Sequence, residues 1–331
     1  MKHPSQVLHD AGRQPAVLPV CDHYAGSEKL MRKSLALQAQ AGPVFDVTLD
    51  CEDGAAVGRE AEHVQMAAGL AAGPENRHGR VGIRVHDVHH PAFVPDLEAA
   101  LGIAGERLAF VMIPKVNSAA DAASAADAVE RIGAQAGLSR RVPVHVLIES
   151  HGGLREVFRI AAHPAIESLS FGLMDFVSAH HGAIPAHALT AAGQFEHPLV
   201  ARAKLEISAA CHAYGKVPSH NVVTELDDPA ALAGAARRAY REFGYTRMWS
   251  IHPSQIDPIV AALSPAEADV RDAERILLAA AAADWGPIRD QDAAGGRLHD
   301  RASFRYYWNV LRRAHAAGVT LSPAAQAQFF S

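Results

Sequence analysis

Charged side chains follow almost every short apolar run of this sequence. The residues concerned are Asp50, Glu52, Asp53, Arg84, His86, Lys115, Glu149, Asp175 and His252. A single charged residue after an apolar run is usually just entering solvent. If the runs are parallel strands of one barrel, however, their carboxyl ends meet around one mouth. A group of acids with an arginine and a lysine at one mouth would repel or pair unless something organised it, so we expect a site there.

Two of these acids, Glu149 and Asp175, are candidate ligands of one hard divalent cation. Mg²⁺ is typically held by one or two carboxylates, several waters and the oxygens of its substrate, which suits such a pair. Zinc is disfavoured, since neither acid has a histidine or cysteine at ligand spacing. The alternative is that each carboxylate only accepts hydrogen bonds from helix N-terminal amides.

The chain has twenty histidines, which invite a metal-enzyme interpretation. His86, His89 and His90 lie where a strand leaves for a loop, so their rings need not converge, and His180 and His181 lie in a loop flanked by glycine. We therefore expect mouth or surface histidines rather than a zinc site. The zinc-protease motif, the P-loop and the nucleophile elbow are absent.

Short β-rich runs recur about every 20 to 40 residues, and alanine-rich segments suited to helices follow them. Several are continuously apolar, which is typical of parallel strands buried on both faces. Eight such units predict an α/β fold, a (β/α)8 TIM barrel. The predicted strands are Val17–Val20, Phe45–Asp50, Val81–His86, Leu108–Lys115, Val142–Glu149, Ser168–Asp175, Ser219–Val223 and Arg247–His252.

The remaining chain predicts a C-terminal helical extension to the barrel. Ser264 and Pro265 are suited to starting a helix that runs to about Ala283, and a last helix is expected over Ser303–Ala317. A loop through Pro287, Gly295 and Gly296 separates the two helices. We therefore predict a catalytic barrel over 1–263 and a C-terminal helical extension over 264–331.

Composition excludes several classes of protein. The 331 residues are 49% hydrophobic and carry a formal charge of −5, which is unlike a general nucleic-acid binder or a disordered chain. Three distant cysteines give no disulfide framework. We find no apolar run long enough to span a bilayer and no hydrophobic signal segment at the N-terminus. The expectation is a soluble, cytoplasmic protein that binds neither nucleic acid nor membrane.

Taken in order, the motifs resemble the citrate lyase β-subunit-like branch of the HpcH/HpaI aldolase family, which includes malyl-CoA and citramalyl-CoA lyases. The resemblance covers roughly residues 44 to 316. The matching segments are Asp50-Cys51-Glu52-Asp53-Gly54, Arg84-Val85, Ile113-Pro114-Lys115-Val116, Ile148-Glu149-Ser150, Phe171-Gly172-x-x-Asp175-Phe176, Arg202 with the helix after it, Ile251-His252-Pro253-x-Gln255-Ile256 and Gly296-Arg297-Leu298-His299-Asp300.

This resemblance implies a homotrimer or hexamer that makes or cleaves carbon–carbon bonds with Mg²⁺, or Mn²⁺ in its place. The substrate would be a small molecule, a β-hydroxyacyl-CoA thioester or a 4-hydroxy-2-oxo acid, that reacts through a metal-stabilised enolate. Glu149 and Asp175 would bind the metal, and Arg84 would stabilise an oxyanion. Glu52 and Asp53 would orient metal-bound water, Lys115 would lie near the mouth, and Asp300 would act as an acid/base in a neighbouring subunit's site.

Three departures from the family pattern bear on the substrate. The first strand lacks the Arg-Ser-x-Leu-x-x-Pro-Gly segment, His86 replaces an asparagine, and Pro218-Ser219-His220-Asn221 replaces an Ile-Asp pair. We therefore interpret His86 as a substrate-binding residue that changes specificity. The altered first strand and His86 also leave open a non-catalytic barrel that binds a CoA ester and keeps the metal site. A further alternative is a thioesterase for malyl-CoA-like substrates, which would use the same residues.

Overall fold

Eight parallel strands close into a barrel in which each strand pairs with the next and β8 pairs with β1, which confirms the predicted (β/α)8 fold. The structure is a computed structural model and describes residues 2–9, 14–54, 58–290 and 296–330. The strands are β1 Cys21–Ala25, β2 Phe45–Asp50, β3 Val81–Arg84, β4 Leu108–Ile113, β5 Val144–Ile148, β6 Ile166–Phe171, β7 Val217–His220 and β8 Arg247–Ser250.

Helices follow the strands and carry ordinary start and stop signals. In the helix Pro229–Phe243, for example, Asp228 Oδ1 accepts a hydrogen bond from the backbone N–H of Ala231 at 2.8 Å, and Gly244 ends the helix with φ 74°. The helices of the barrel are α2 Glu28–Ala41, α3 Glu60–Ala72, α4 Phe93–Ala104, α5 Ala119–Gln135, α6 His151–Arg155, α7 Val157–Ala161, α8 Leu173–Ser178, α9 Pro198–Ala213, α10 Pro229–Phe243 and α11 Ile256–Leu263. In the described part of the chain, no helix has the length and apolarity needed to cross a bilayer.

The barrel interior is filled by side chains. The fully buried Arg247 guanidinium lies 2.9 Å from Asp22 Oδ2 and 2.5 Å from Asp46 Oδ2. Tyr24 and Trp249 stack with ring centroids 4.4 Å apart and form an aromatic layer in the same interior. A filled interior of this kind leaves the strand ends as the place for a site.

A second compact unit consists of the described parts of Met1–Leu18 and Ser264–Ser331, whereas the barrel spans Pro19–Leu263. The described part of the first eighteen residues therefore belongs with the C-terminal segment rather than with the barrel. The Trp285 indole N–H, for instance, donates to the backbone carbonyl of Lys2 at 3.0 Å. The unit contains α1 Pro4–Val7, α12 Glu267–Ala282, α13 Arg301–Ala316, α14 Pro323–Phe329 and an antiparallel pair, β9 Ile288–Asp290 and β10 Arg297–His299.

Two predicted strands lie at the wrong positions. The first strand is Cys21–Ala25, not Val17–Val20. Its polar residue Asp22 is paired inside the barrel with Arg247, and a segment with a polar residue at its centre does not have the apolar pattern of a buried strand. The seventh strand is Val217–His220 rather than Ser219–Val223. It includes Pro218, whose carbonyl still accepts a hydrogen bond from Thr246 N at 3.3 Å.

Two further boundaries also differ. The sixth strand ends at Phe171, and Asp175 lies in the first turn of α8 instead of closing the strand. Helix α12 begins at Glu267 with Ala266 at its N-cap, so the expected start at Ser264 is wrong: α11 continues to Leu263, and the residues up to Ala266 connect the two helices. The expected Gly295 of the following loop lies outside the described residues.

Candidate active site

Arg84 is the best-positioned cation at the carboxyl ends of the strands. Its Nε lies 2.7 Å from Asp50 Oδ1 and its Nη2 lies 2.6 Å from Asp50 Oδ2, a two-pronged ion pair between the last residues of β3 and β2. Nη1 is 3.1 Å from Glu52 Oε2, and the guanidinium stacks over the Tyr24 ring at 5.3 Å. Burial opposes its charge, but Asp50 outweighs burial and raises the pKa of Arg84, so the cation is permanent and fixed in direction.

Lys115 connects the loop after β2 to the end of β4. Its ammonium pairs with Glu52 Oε1 and lies 3.1 Å from Asp53 Oδ1. Burial raises the pKa of the Glu52 carboxyl despite the charge of Arg84, whereas hydrogen bonds from Lys115 lower the pKa of Asp53. The predicted residues Glu52, Asp53, Arg84 and Lys115 are thus brought together.

The backbone at Lys115 is also unusual. Its φ of 53° is left-handed, a conformation that typically costs a non-glycine residue about 1–3 kcal/mol and tends to occur at functional sites. This conformation places the Lys115 N–H 2.6 Å from Glu149 Oε1. The same residue therefore fixes Glu149 through its backbone and Glu52 through its side chain.

Glu149 is buried immediately after β5 and faces Gly172. A Cβ at Gly172 would lie 2.2 Å from Glu149 Oε2, so only glycine leaves room for this carboxylate. Burial, together with the negative charge of Asp175, raises the pKa of Glu149 to about 7. Asp175 is exposed on α8, so one carboxylate of the pair is buried and the other faces solvent.

The charges around this mouth are unbalanced. Among the described residues at this mouth, five carboxylates (Asp50, Glu52, Asp53, Glu149 and Asp175) accompany two cations, Arg84 and Lys115, which is a formal excess of three negative charges. Within the described ranges, no three His, Cys, Asp or Glu side chains form a ready-made metal cluster. The donor set fits a hard cation that takes two carboxylates and completes its shell with water and substrate oxygens.

Three other predicted residues have different surroundings. His86 Nδ1 lies 2.6 Å from Asp96 Oδ2 of α4, so the partner of this ring is not one of the residues that contact Arg84. His252 accepts a hydrogen bond from Ser254 N within its own turn. Asp300 belongs to the second unit, where its carboxylate accepts the N–H of Ala302 at 2.9 Å and caps α13.

Asp50 is among the acids expected at this mouth, but the sequence assigns it no role. In the structure it pairs with Arg84 and also accepts the backbone N–H groups of Glu52 (3.0 Å) and Gly54 (2.9 Å). The residue that the sequence does not indicate is Asp96. Asp96 lies within a helix ten residues after His86, and nothing local in the sequence pointed to it.

Comparison with known proteins gives consistent matches. A family model described as HpcH/HpaI aldolase/citrate lyase matches residues 29–253. A crystal structure of a citrate lyase from Burkholderia xenovorans LB400 is 56% identical, covers 99% of this chain and 100% of its own, and has a TM-score of 0.84. An L-malyl-CoA/beta-methylmalyl-CoA lyase of Cereibacter sphaeroides (strain ATCC 17025) is 30% identical over 71% of this chain and 76% of its own length.

A further solved structure shares the fold at a lower sequence identity. The CitE protein of Mycobacterium tuberculosis, crystallised with magnesium, acetoacetate and coenzyme A, is 24% identical, covers 92% of this chain and 99% of its own, and has a TM-score of 0.65. At that identity the comparison concerns the barrel fold alone.

Proposed function

Because this chain belongs to the HpcH/HpaI aldolase/citrate lyase family, we propose that it is a Mg²⁺-dependent carbon–carbon lyase. The proposed substrate is a β-hydroxyacyl-CoA thioester or a 4-hydroxy-2-oxo acid, with Mn²⁺ as an alternative metal. The relatives named as malyl-CoA lyases favour the thioester class. The observation that carries the proposal is a fixed guanidinium, Arg84, in a mouth that otherwise has an excess of negative charge.

Glu149 and Asp175 would hold the metal. When bound, Mg²⁺ supplies a Lewis acid that stabilises negative charge on a substrate oxygen. The hydrogen bond from Lys115 N and the close approach of Gly172 hold the Glu149 carboxylate in one orientation, so little reorganisation is needed.

Arg84 would stabilise the oxyanion of the reaction. Breaking a bond next to a carbonyl leaves an enolate, whose oxygen gains negative charge as the bond breaks. The pair with Asp50 and the contact with Glu52 fix the Arg84 guanidinium before the substrate arrives, which makes its stabilisation selective for the transition state. Glu52 and Asp53, joined by Lys115, would shape the surroundings of the cation, and Lys115 and His86 would contact the substrate.

Asp300 would act as an acid/base in the site of a neighbouring copy, in a homotrimer or hexamer. Two observations support this role: Asp300 is exposed, and the nearby side chains of Leu298 and Tyr306 are 75% and 60% exposed. Such side chains are suited to a contact with another subunit.

Product analysis tests the activity directly. We expect the protein with Mg²⁺ to convert malyl-CoA or a 4-hydroxy-2-oxo acid into two fragments in equal amounts, and a chelator to abolish this. Release of free CoA thiol without a matching carbonyl product would instead indicate a thioesterase. Binding without any product would indicate the non-catalytic barrel.

The raised pKa of Glu149 predicts how metal binding depends on pH. In the metal-free folded chain, the stabilisation that comes from the protonated carboxyl is fully present at pH values below the ordinary pKa of 4.5. It is lost as the pH rises through about 7. Mg²⁺ binds the ionised carboxylate. A Mg²⁺ concentration of about 100 times the Kd at pH 8 should therefore raise Tm by roughly 5 °C at pH 8, and the same concentration should raise it by much less near pH 5.5. Scanning fluorimetry at matched ionic strength measures this difference, and equal shifts at both pH values would contradict it.

A further inference from the structure

His86 is held by a buried carboxylate. Its Nδ1 lies 2.6 Å from Asp96 Oδ2, and the same oxygen accepts the His86 backbone N–H at 3.1 Å. Asp96 is 1% exposed. Because a carboxylate oxygen accepts, Nδ1 carries the ring hydrogen, and this leaves the lone pair of a neutral imidazole on Nε2.

The other ring nitrogen is available to a ligand. The His86 side chain is 13% exposed, and among the described residues none is hydrogen-bonded to Nε2. His90 stacks on the ring with centroids 4.2 Å apart and planes inclined by 14°, which fixes the ring plane. The ladder hydrogen bond from Val85 N to Met112 O continues β3 past Arg84. His86 therefore stands two residues beyond Arg84, at the barrel mouth.

We infer that His86 Nε2 accepts a hydrogen bond from a hydroxyl group of the substrate and then takes its proton, and that Asp96 is the positioning residue for this base. The inference rests on the proposed function, since both proposed substrate classes carry a hydroxyl on the carbon β to a carbonyl. The base that acts on this hydroxyl is therefore a different residue from Arg84, which stabilises the negative charge that develops on the carbonyl oxygen of the other fragment.

The step balances as follows in the cleavage direction. The hydroxyl O–H bond breaks and its proton passes to Nε2, and the electron pair left on oxygen forms the new carbonyl. The carbon–carbon bond breaks, and its electrons pass to the carbonyl oxygen of the other fragment, which leaves as an enolate. The acid proposed above, Asp300 of a neighbouring copy, then gives a proton to the enolate carbon and is reprotonated by solvent, and solvent removes the proton from Nε2.

Three variants test the inference. His86→Gln should lower kcat/KM by about 10²–10⁴-fold, the usual contribution of a general base. Asp96→Asn should lower it by about 10–100-fold, because the ring loses its orienting partner. His89→Gln is the control, since this imidazole lies in the same loop but is 73% exposed and pairs with Asp121, and it should stay close to wild type. A wild-type rate in His86→Gln would overturn the inference and leave the proposed function standing.

Two readouts are independent of turnover. Nitrogen NMR of the His86 ring should show the hydrogen on Nδ1 in the wild type and a redistribution in Asp96→Asn, and it also reports whether that variant is folded. If the wild type turns over nothing, the proposed function fails and binding decides the inference. Malyl-CoA should then bind more tightly than its deoxy counterpart succinyl-CoA, and His86→Gln should lose this preference. Equal binding of both thioesters by the wild type would overturn it.

Discussion

Replacing Glu149 by glutamine should lower Mg²⁺-supported turnover by about 10³-fold while the fold survives. Loss of a metal ligand removes several kcal/mol of charge stabilisation, and each 1.36 kcal/mol corresponds to about tenfold in rate. The amide oxygen can still accept the Lys115 N–H and fits the space beside Gly172. The measurement is kcat against Mg²⁺ concentration, with Tm recorded without metal.

The stability of this variant without metal gives a second check, because it should not fall although turnover falls. Above about pH 7 the wild-type carboxylate is charged and buried without a metal, whereas the amide is neutral. Metal-free Glu149→Gln should therefore be at least as stable as the wild type near pH 8, and its Tm should no longer respond to Mg²⁺. Glu130→Gln, at an exposed ion pair with Arg141, is the matched control and should behave as wild type. Full Mg²⁺-dependent activity in Glu149→Gln would refute the metal assignment.

Replacing Arg84 by lysine should lower kcat by about 10²–10³-fold, the usual cost of losing one oxyanion donor, with a smaller change in KM. Lysine keeps the charge but has no planar fork, so it cannot hold both oxygens of Asp50 and still direct a donor to the substrate. Steady-state kinetics on the substrate identified by product analysis separates the two parameters.

The chain contains a close structural match for this test. Arg80, just before β3, makes the same two-pronged pair with Asp46, at 2.7 and 2.8 Å, but belongs to the ion-pair group around Arg247 rather than to the strand ends. Arg80→Lys loses the same geometry and should affect stability without a comparable fall in kcat. If both variants lose kcat equally, Arg84 acts through the fold rather than on the substrate.

The Arg84 variant can also locate the action of Asp300. Arg84→Lys and Asp300→Ala should each be nearly inactive alone, and co-expressed hybrid oligomers should regain activity well above both, because some sites then combine an intact Arg84 with an intact Asp300 from the neighbour. If the hybrids show no gain, Asp300 does not act across subunits.

Much of this protein could be predicted from local sequence. Apolar runs such as Leu108–Ile113 identify buried parallel strands wherever they occur, and their number and spacing gave the barrel. The strand ends indicated Arg84, Lys115 and Glu149 as candidate site residues for the same reason, since a charged residue at the carboxyl end of a buried strand lies at the mouth of the barrel.

Only the tertiary structure decided which partner each charge takes. Lys115 meets Glu52 63 residues away, Arg84 meets Asp50 34 residues away, and Asp22 of β1 meets Arg247 of β8. Such pairings depend on barrel closure, which no local pattern records. The sequence by itself therefore determined the class of fold and where chemistry could occur. Long-range packing decided that Asp50 fixes the Arg84 guanidinium, that the Lys115 N–H holds the Glu149 carboxylate and that Asp96 pairs with Nδ1 of His86.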